Sequence, residues 1–332
     1  MEGVGDPGAN ETRRTDVRGV LAGVLIALLV ASLAMPVGGD IVTGGVARRL
    51  TLPAEPETSP GSPQPGAFLI AAVEVRPQTL AQWVWAHTLG SGRLLSFGPA
   101  RLEAATSTPF KKSVDPTAIN AWATAVREVG PVLEVTAVQP RSVADRAGLE
   151  VGDAVVTING LRPDVHTLDG NLATGATSRL RVYRAGHVVD LDLKPAAPWP
   201  QAPGGGAAFV RRAITAPAPQ LSVGKVTGGS AGLVFALAYI DMLTVGDLTG
   251  HRLIAATGAL GPGGSVDPVL GYDAKVTAAA RAGANVFMMP RPDIAAAQPY
   301  APPSVRVVGV SSVEEAVQWL CRNGGVSSVC QP

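Results

Sequence analysis

The sequence predicts a multidomain chain of mixed α+β and α/β class, with a transmembrane helix near its N-terminus. Three observations predict this: an early uncharged apolar run, a β-rich middle stretch, and a glycine-rich turn that leads into an entirely apolar helix. A length of 332 residues favours about two soluble domains. The 39 glycines and 28 prolines predict long connections, while a hydrophobic fraction of 46% is enough for packed cores.

Residues 19–36 form the predicted transmembrane helix. The run is uncharged, and at about 1.5 Å per residue it nearly matches a hydrocarbon layer of about 30 Å. A cleaved signal peptide and a buried helix are the alternatives. Arginines precede the run and Asp40 follows it, so the positive-inside rule predicts a cytoplasmic tail at 1–18 and extracytoplasmic domains in the cell envelope.

Two linkers divide the rest of the chain. The first is predicted at 37–66, where Pro, Ser and Gly become dense and no apolar period is present, and the second at 196–207. An N-terminal extracytoplasmic α/β segment is predicted at 67–129, packed against the domain that follows it. This segment ends in a helix from Asp115 to Val129, whose apolar side chains recur at helical spacing.

A β-rich region occupies residues 130–195 and ends in two alternating strands joined at Ala185-Gly186, as in a β-hairpin. Together with the run AGLEVGDAVVTING, this region resembles the PDZ domain family. PDZ domains bind a peptide as an added strand at an open sheet edge. The resemblance implies that the loop before the first strand binds the peptide, at Gly130, Pro131, Val132 and Leu133. A unit that only positions its neighbour is the alternative.

The last predicted domain, 208–325, opens on a glycine-rich turn. Ser230 lies where this turn enters the apolar helix, beside the N–H groups that a helix start leaves unpaired. A hydroxyl next to such donors suits acyl transfer, which needs a nucleophile and an oxyanion site. Capping the helix is the alternative role. In an α/β-hydrolase an acidic residue and then a histidine follow the nucleophilic serine at long range. Here His251 is the only histidine after Ser230, and it follows too closely for that order.

A lysine with a lowered pKa can replace the missing histidine as the general base. Lys275 is the candidate, because it lies in a predicted helix among alanine and valine side chains. Lowering a lysine pKa from about 10.4 towards 7 costs roughly 4 kcal/mol, so the site must be dry. A solvated surface lysine is the alternative.

This segment resembles the proteolytic domain of Lon, and in particular membrane-anchored bacterial proteins that join a PDZ domain to a Lon-type peptidase domain. The matching runs include Gly228-Gly229-Ser230-Ala231-Gly232-Leu233, Ala255-Ala256-Thr257-Gly258, Gly264-Ser265-Val266, Lys275-Val276 and Ala280-Arg281-Ala282-Gly283-Ala284.

The resemblance implies a Ser–Lys dyad. Ser230 would be the nucleophile, Lys275 the general base and Thr257 the hydroxyl that orients the lysine. Gly228 and Gly229 would support the oxyanion site. The chain departs from the family at Gly229, where a proline usually precedes the serine, and this change makes the turn more flexible.

Charge, cysteine content and missing motifs restrict the cofactors and partners. A net charge of +1 without a basic stripe indicates no nucleic-acid partner, and no GxxxxGK[ST] string is present to bind ATP. Two cysteines cannot supply a four-cysteine zinc site, so no metal or cofactor is predicted. Cys321 and Cys330 either form a disulfide in an oxidising compartment or stay unpaired.

The sequence therefore predicts a membrane-anchored, ATP-independent serine endopeptidase that captures protein or peptide substrates with a PDZ domain. The alternatives are a PDZ scaffold of the cell envelope whose Lon-type domain is weak or inactive, and a purely structural envelope protein.

Overall fold

The computed structural model describes residues 17–51, 66–81, 83–84, 116–196, 203–221 and 228–331. Five predicted regions therefore lie partly outside the described residues: the cytoplasmic tail at 1–16, the first linker at 52–65, the N-terminal segment at 82 and 85–115, the second linker at 197–202 and the peptidase domain at 222–227. The chain divides into two units, one within 1–41 and 75–99 and the other within 42–74 and 100–332.

Helix α1, Val17–Ala34, lies where the sequence predicts the membrane span. It ends next to Pro36, which cannot continue a helix because it has no N–H to donate. A search of the described residues for a helix long and apolar enough to cross a membrane finds none, so the predicted transmembrane helix is not supported. Strand β1, Pro36–Arg49, follows directly. The structure thus differs from the sequence prediction, which places a linker from residue 37 onward.

A five-stranded sheet forms the centre of an α/β domain. Its strand order is β1-β2-β9-β12-β13, and the pairs β2–β9, β9–β12 and β12–β13 are parallel; the last four strands are Ala67–Thr79, Leu253–Ala256, Val286–Pro290 and Arg306–Val310. Phe68 and Ile70 enter one core cluster, and Leu69 and Ala71 enter another. Because side chains alternate along a strand, the sheet is buried on both faces, as parallel sheets require.

Helices cover the two faces of this sheet. The cluster on one face includes residues of α2, α5 and α8, which span Pro116–Val129, Gly232–Leu243 and Val313–Arg322. The cluster on the other face includes residues of α6 and α7, which span Tyr272–Arg281 and Ile294–Ala297. Helix α2 confirms the predicted amphipathic helix, with Pro116 at its first described position.

A second five-stranded sheet, antiparallel throughout, lies between α2 and α5 in the sequence. Its order is β6-β5-β4-β3-β7, with strands β3 to β7 at Val132–Val138, Ala154–Ile158, Ser178–Arg184, His187–Leu193 and Ala207–Arg212. Two short helices accompany it, α3 at Val143–Arg146 and α4 at Val165–Ala173. Ala185 and Gly186 both have positive φ, which confirms the predicted hairpin turn between β5 and β6.

Strand β7 pairs with β3 along its whole length, from Ala207 opposite Val138 to Arg212 opposite Val132. The sequence prediction assigns these residues to the end of a linker and the start of the peptidase domain. The structure instead places them in the antiparallel sheet. Their backbone N–H and C=O groups pair with β3, whereas in a solvated linker these groups would be hydrogen-bonded to water.

Trp122 of α2 packs between the α/β domain and the domain formed by the antiparallel sheet. Its ring lies 4.9 Å from that of Tyr183 on β5 and 5.3 Å from that of Tyr239 on α5, measured between centroids. Its indole N–H donates to the carbonyl of Ala216 at 3.1 Å. All three rings belong to one buried cluster, so the two domains share a core.

Cys321 and Cys330 form a disulfide, with their Cα atoms 5.4 Å apart. This confirms the pairing that was one of two possibilities from the sequence. The bond ties α8 to the 3₁₀ turn Ser328–Cys330. Beside it, the short strand β14, Val326–Ser327, pairs with β8, Gly246–Asp247. The end of the chain is therefore fixed to the segment that follows α5. Two further short strands, β10 at Ala259–Leu260 and β11 at Val266–Asp267, pair with each other.

Candidate active site

Ser230 lies in a 3₁₀ turn, Gly229–Ala231, that runs directly into α5. Gly228 before it has φ +107°, a conformation that favours glycine and that turns the chain sharply into the helix. Every residue of α5 except Asp241 is buried, as its sequence predicts. The backbone of Ser230 is therefore anchored to a rigid core, while the residue itself stays partly exposed.

The backbone N–H groups at the start of this turn bear on the predicted oxyanion site. The first bond recorded at the turn runs from the N–H of Gly232 to the carbonyl of Gly229. Among the described residues, the N–H groups of Gly229 and Ser230 donate to no backbone carbonyl. Such donors at a helix start attract negative charge, which is what the predicted oxyanion site requires.

The carbonyl of Ser230 connects the turn to the end of β9. It accepts a hydrogen bond from the N–H of Gly258 at 2.8 Å and one from the Thr257 hydroxyl at 3.2 Å. In return, the carbonyl of Gly258 accepts from the N–H of Leu233 at 3.1 Å. Gly258 has φ +156°, and a Cβ there would lie 2.5 Å from a Val266 methyl, so only glycine fits. These bonds fix the nucleophile candidate relative to the sheet.

Lys275 lies in the first turn of α6 and is only 2% exposed. Its ammonium nitrogen, Nζ, donates to Thr257 Oγ1 at 3.1 Å. Burial removes water from the ammonium group and lowers the pKa of Lys275 to about 7. The solvated-surface alternative is therefore wrong, and the lysine has the dry site that a neutral amine needs.

Thr257 joins the two predicted catalytic residues. Its hydroxyl accepts from Lys275 Nζ and donates to the carbonyl of Ser230, so one side chain contacts both. Within the part of the chain that the structure describes, Lys275 has no other side-chain partner, and the Ser230 hydroxyl is not directly bonded to it. Catalytic hydrogen bonds often tighten only when substrate is in place. The arrangement places the Thr257 hydroxyl in contact with the backbone of Ser230 and with the amine of Lys275, and the catalytic roles of these residues stay a prediction.

The predicted peptide-binding residues do not lie at an unpaired edge of the antiparallel sheet. Gly130 ends α2 with φ +88°, and Pro131 is exposed. Val132 and Leu133 lie in β3, which pairs with β7 on one side and with β4 on the other. Strand addition needs an unpaired edge. These residues therefore cannot add a peptide strand in this arrangement.

A groove beside β7 has the features that Gly130–Leu133 lacks. Its volume is about 400 Å³, and it is lined by Ala137, Gln139, Val165, Pro203, Gly206, Ala207, Ala208 and Phe209. Strand β7 is the last in its sheet, so its outer edge is unpaired among the described residues. Sequence reasoning missed the groove because Pro203–Gly206 reads as a linker, although the residues Phe209 and Val210 after it, which favour strands, were a usable signal.

Residues 134–172 match the PDZ domain family. This part of the chain is a PDZ domain. The match begins in β3 and reaches α4, and the groove lies between α4 and β7 at the border of the matched region. A search of curated proteins finds no match to this chain.

If the predicted dyad hydrolyses peptides, replacing Thr257 by valine should lower the turnover number about 10- to 100-fold, because the lysine loses the group that orients it. Valine keeps the shape but removes the acceptor that favours the charged amine, so the pKa of Lys275 falls further. The pH profile of hydrolysis should shift to lower pH. Thr257→Ser, which keeps the hydroxyl, should restore both properties; equal profiles for the valine and serine variants would contradict this role.

Gly229→Ala is expected to raise the free energy of unfolding by about 0.4–1 kcal/mol, because alanine restricts the unfolded chain. A Cβ at this position meets no atom within 4 Å, and the φ angle is not left-handed. Gly228→Ala is the matched control and should destabilise the protein by about 1 kcal/mol, since its φ is +107°. Urea unfolding of both variants measures the two effects. If the two substitutions change the free energy of unfolding in the same direction, this account of the turn is wrong.

Proposed function

We propose that this chain is a serine endopeptidase of Lon type, in which Ser230 and Lys275 form a catalytic dyad. The observation that carries the proposal is a lysine that is 2% exposed, has a pKa of about 7 and is hydrogen-bonded to Thr257, which also contacts Ser230. A structural lysine gains nothing from this burial, whereas a general base needs a pKa close to the working pH.

In the proposed reaction, neutral Lys275 removes the proton from the Ser230 hydroxyl, and the oxygen attacks the substrate carbonyl carbon. The N–H groups of Gly229 and Ser230 stabilise the negative oxygen of the tetrahedral intermediate. The carbon–nitrogen bond then breaks, and the leaving amine takes the proton from the Lys275 ammonium. An acyl-enzyme remains on Ser230. Water, deprotonated by Lys275, attacks this ester. The bond from the acyl carbon to the Ser230 oxygen then breaks, the Lys275 ammonium returns its proton to that oxygen, and the new carboxyl terminus is released.

The PDZ domain supplies the binding step of the proposal. A substrate segment adds as an extended strand to the free edge of β7, and its side chains enter the groove beside α4. Hydrogen bonds to the substrate main chain form with any sequence, so the domain can bind many different segments. This suits an endopeptidase that acts on exposed or unfolded segments. No phosphate-binding loop is present in the sequence, so the proposed activity is ATP-independent.

The proposed location is outside the cytoplasm, and the N-terminal apolar run is proposed as the membrane anchor on the sequence alone, because no helix among the described residues is long and apolar enough to cross a membrane. The Cys321–Cys330 disulfide supports the compartment, because such bonds persist where the surroundings are oxidising. The anchor is tested by expressing the full chain and asking whether alkaline carbonate extracts it from membranes; extraction would contradict the anchor and leave the peptidase proposal intact.

A fluorophosphonate probe tests the peptidase proposal on the full-length protein. The parent should form a covalent adduct at Ser230, Ser230→Ala should form none, and Lys275→Ala should react far more slowly because its serine is not activated. Ser265→Ala and Lys194→Ala are matched controls that lie outside the proposed dyad. A parent protein that binds peptides but never reacts with the probe would support a PDZ scaffold instead.

A further inference from the structure

An acidic side chain, Asp169, lies beside the groove between α4 and β7, and the proposed capture step does not use it. Asp169 lies one helical turn after Val165, which lines the groove, and its carboxylate accepts a hydrogen bond from the N–H of Gly204. Gly204 follows Pro203 in the glycine loop that leads into β7. The carboxylate therefore lies at the end of the groove where β7 begins.

This loop has the geometry of an anion-binding turn. Gly204, Gly205 and Gly206 have φ angles of +64°, +65° and +92°, and successive backbone N–H groups in such turns can bind a terminal carboxylate. In this chain the N–H of Gly204 is already bonded to a carboxylate, that of Asp169. A Cβ on Gly204 would lie 2.5 Å from the Phe209 ring, so the loop is packed tightly in this conformation.

We infer that the PDZ groove selects internal segments of a polypeptide, without a free C-terminal carboxylate, and that Asp169 is the specificity-determining residue. The inference rests on the proposed capture of peptides at β7. A terminal carboxylate in this groove meets a like charge and a loop donor that is already occupied. An internal segment, or a peptide that ends in an amide, carries no charge at this point. It can add to β7 and continue past the loop.

The experiment uses full-length protein with Ser230→Ala, so that bound peptides are not cleaved. Two random-sequence peptide libraries made from one mixture are immobilised, one with free C-terminal carboxylates and one with C-terminal amides. Enriched sequences are then synthesised in both forms, and their dissociation constants are measured by fluorescence anisotropy. The amide form should bind at least about tenfold more tightly than the carboxylate form.

A second substitution, Asp169→Asn, should reduce this preference to within about threefold, because asparagine accepts the same hydrogen bond without the charge. Asp164→Asn is the matched control: it removes a carboxylate from the N-cap of α4 without touching Gly204, and it should leave the preference unchanged. Tighter binding of the carboxylate form, or a preference that Asp169→Asn leaves intact, would overturn the inference while keeping the groove as the capture site. If neither form binds, the capture step itself fails, and the inference fails with it.

Discussion

Hydrolysis of an unfolded protein substrate should fall by at least about a thousandfold when either Ser230 or Lys275 is replaced by alanine. Without the Ser230 hydroxyl no acyl-enzyme can form. Without the Lys275 amine the hydroxyl keeps its proton, since the described residues provide no histidine at the site to take it. The measurement is the rate of fluorescence increase from a quenched, unfolded substrate at neutral pH.

The double variant sharpens this prediction. If the two side chains act as one unit, Ser230→Ala combined with Lys275→Ala should be no slower than either single variant. Ser265→Ala and Lys194→Ala should retain the parental rate. A Lys275→Ala variant with near-parental activity would show that another group accepts the proton, and the dyad would be wrong.

The free energy of unfolding should rise as the pH is raised from about 7 to 9, and Lys275 should account for most of the rise. Its pKa is about 7 in the folded protein and 10.5 ordinarily, so between these values the unfolded chain binds the extra proton. Stability must then increase with pH across that window. The buried ammonium destabilises the fold most fully below pH 7. Two pH units correspond to about 2–3 kcal/mol.

Lys275→Met is the variant that isolates this effect, because methionine has a similar shape and no titratable group. Urea unfolding of the parent and of Lys275→Met at pH 7, 8 and 9 gives the difference in their free energies at each pH. The variant should be the more stable protein at pH 7, and its advantage should shrink as the pH rises. A difference that does not change with pH would mean that Lys275 is solvated or paired with an anion.

Sequence patterns predicted the parts of the fold and site that depend on local chemistry. The Ala185-Gly186 hairpin follows from backbone preferences. The alanines beside Lys275 are compatible with its burial, but local spacing favours a surface lysine, and only the structure shows that the side chain is buried. The pairing of Cys321 with Cys330 was left open, because spacing alone cannot show that two thiols meet.

The errors concern strands whose partners lie far away in the sequence. Strand β1 contains Pro36 and four glycines, and strand β7 follows a stretch rich in proline and glycine, so both read as parts of spacers. The partner of β7 is β3, which lies earlier in the chain beyond α4 and the β5–β6 hairpin, and no local pattern shows this pairing. The predicted peptide site at Gly130–Leu133 depends on the same assignment, because strand β7, which pairs with β3, was read as the end of a linker.

The packing of Trp122 against Tyr183 and Tyr239 has a consequence for where the proposed enzyme would cut. Because the two domains share a core, the distance between β7 and Ser230 would be fixed. The stretch of substrate between the segment bound at β7 and the cleaved bond would therefore have a constant length. Unrelated substrates would then be cut at the same number of residues from the segment bound at β7. This distance would depend on the spacing between the two domains more than on the residues next to the cleaved bond.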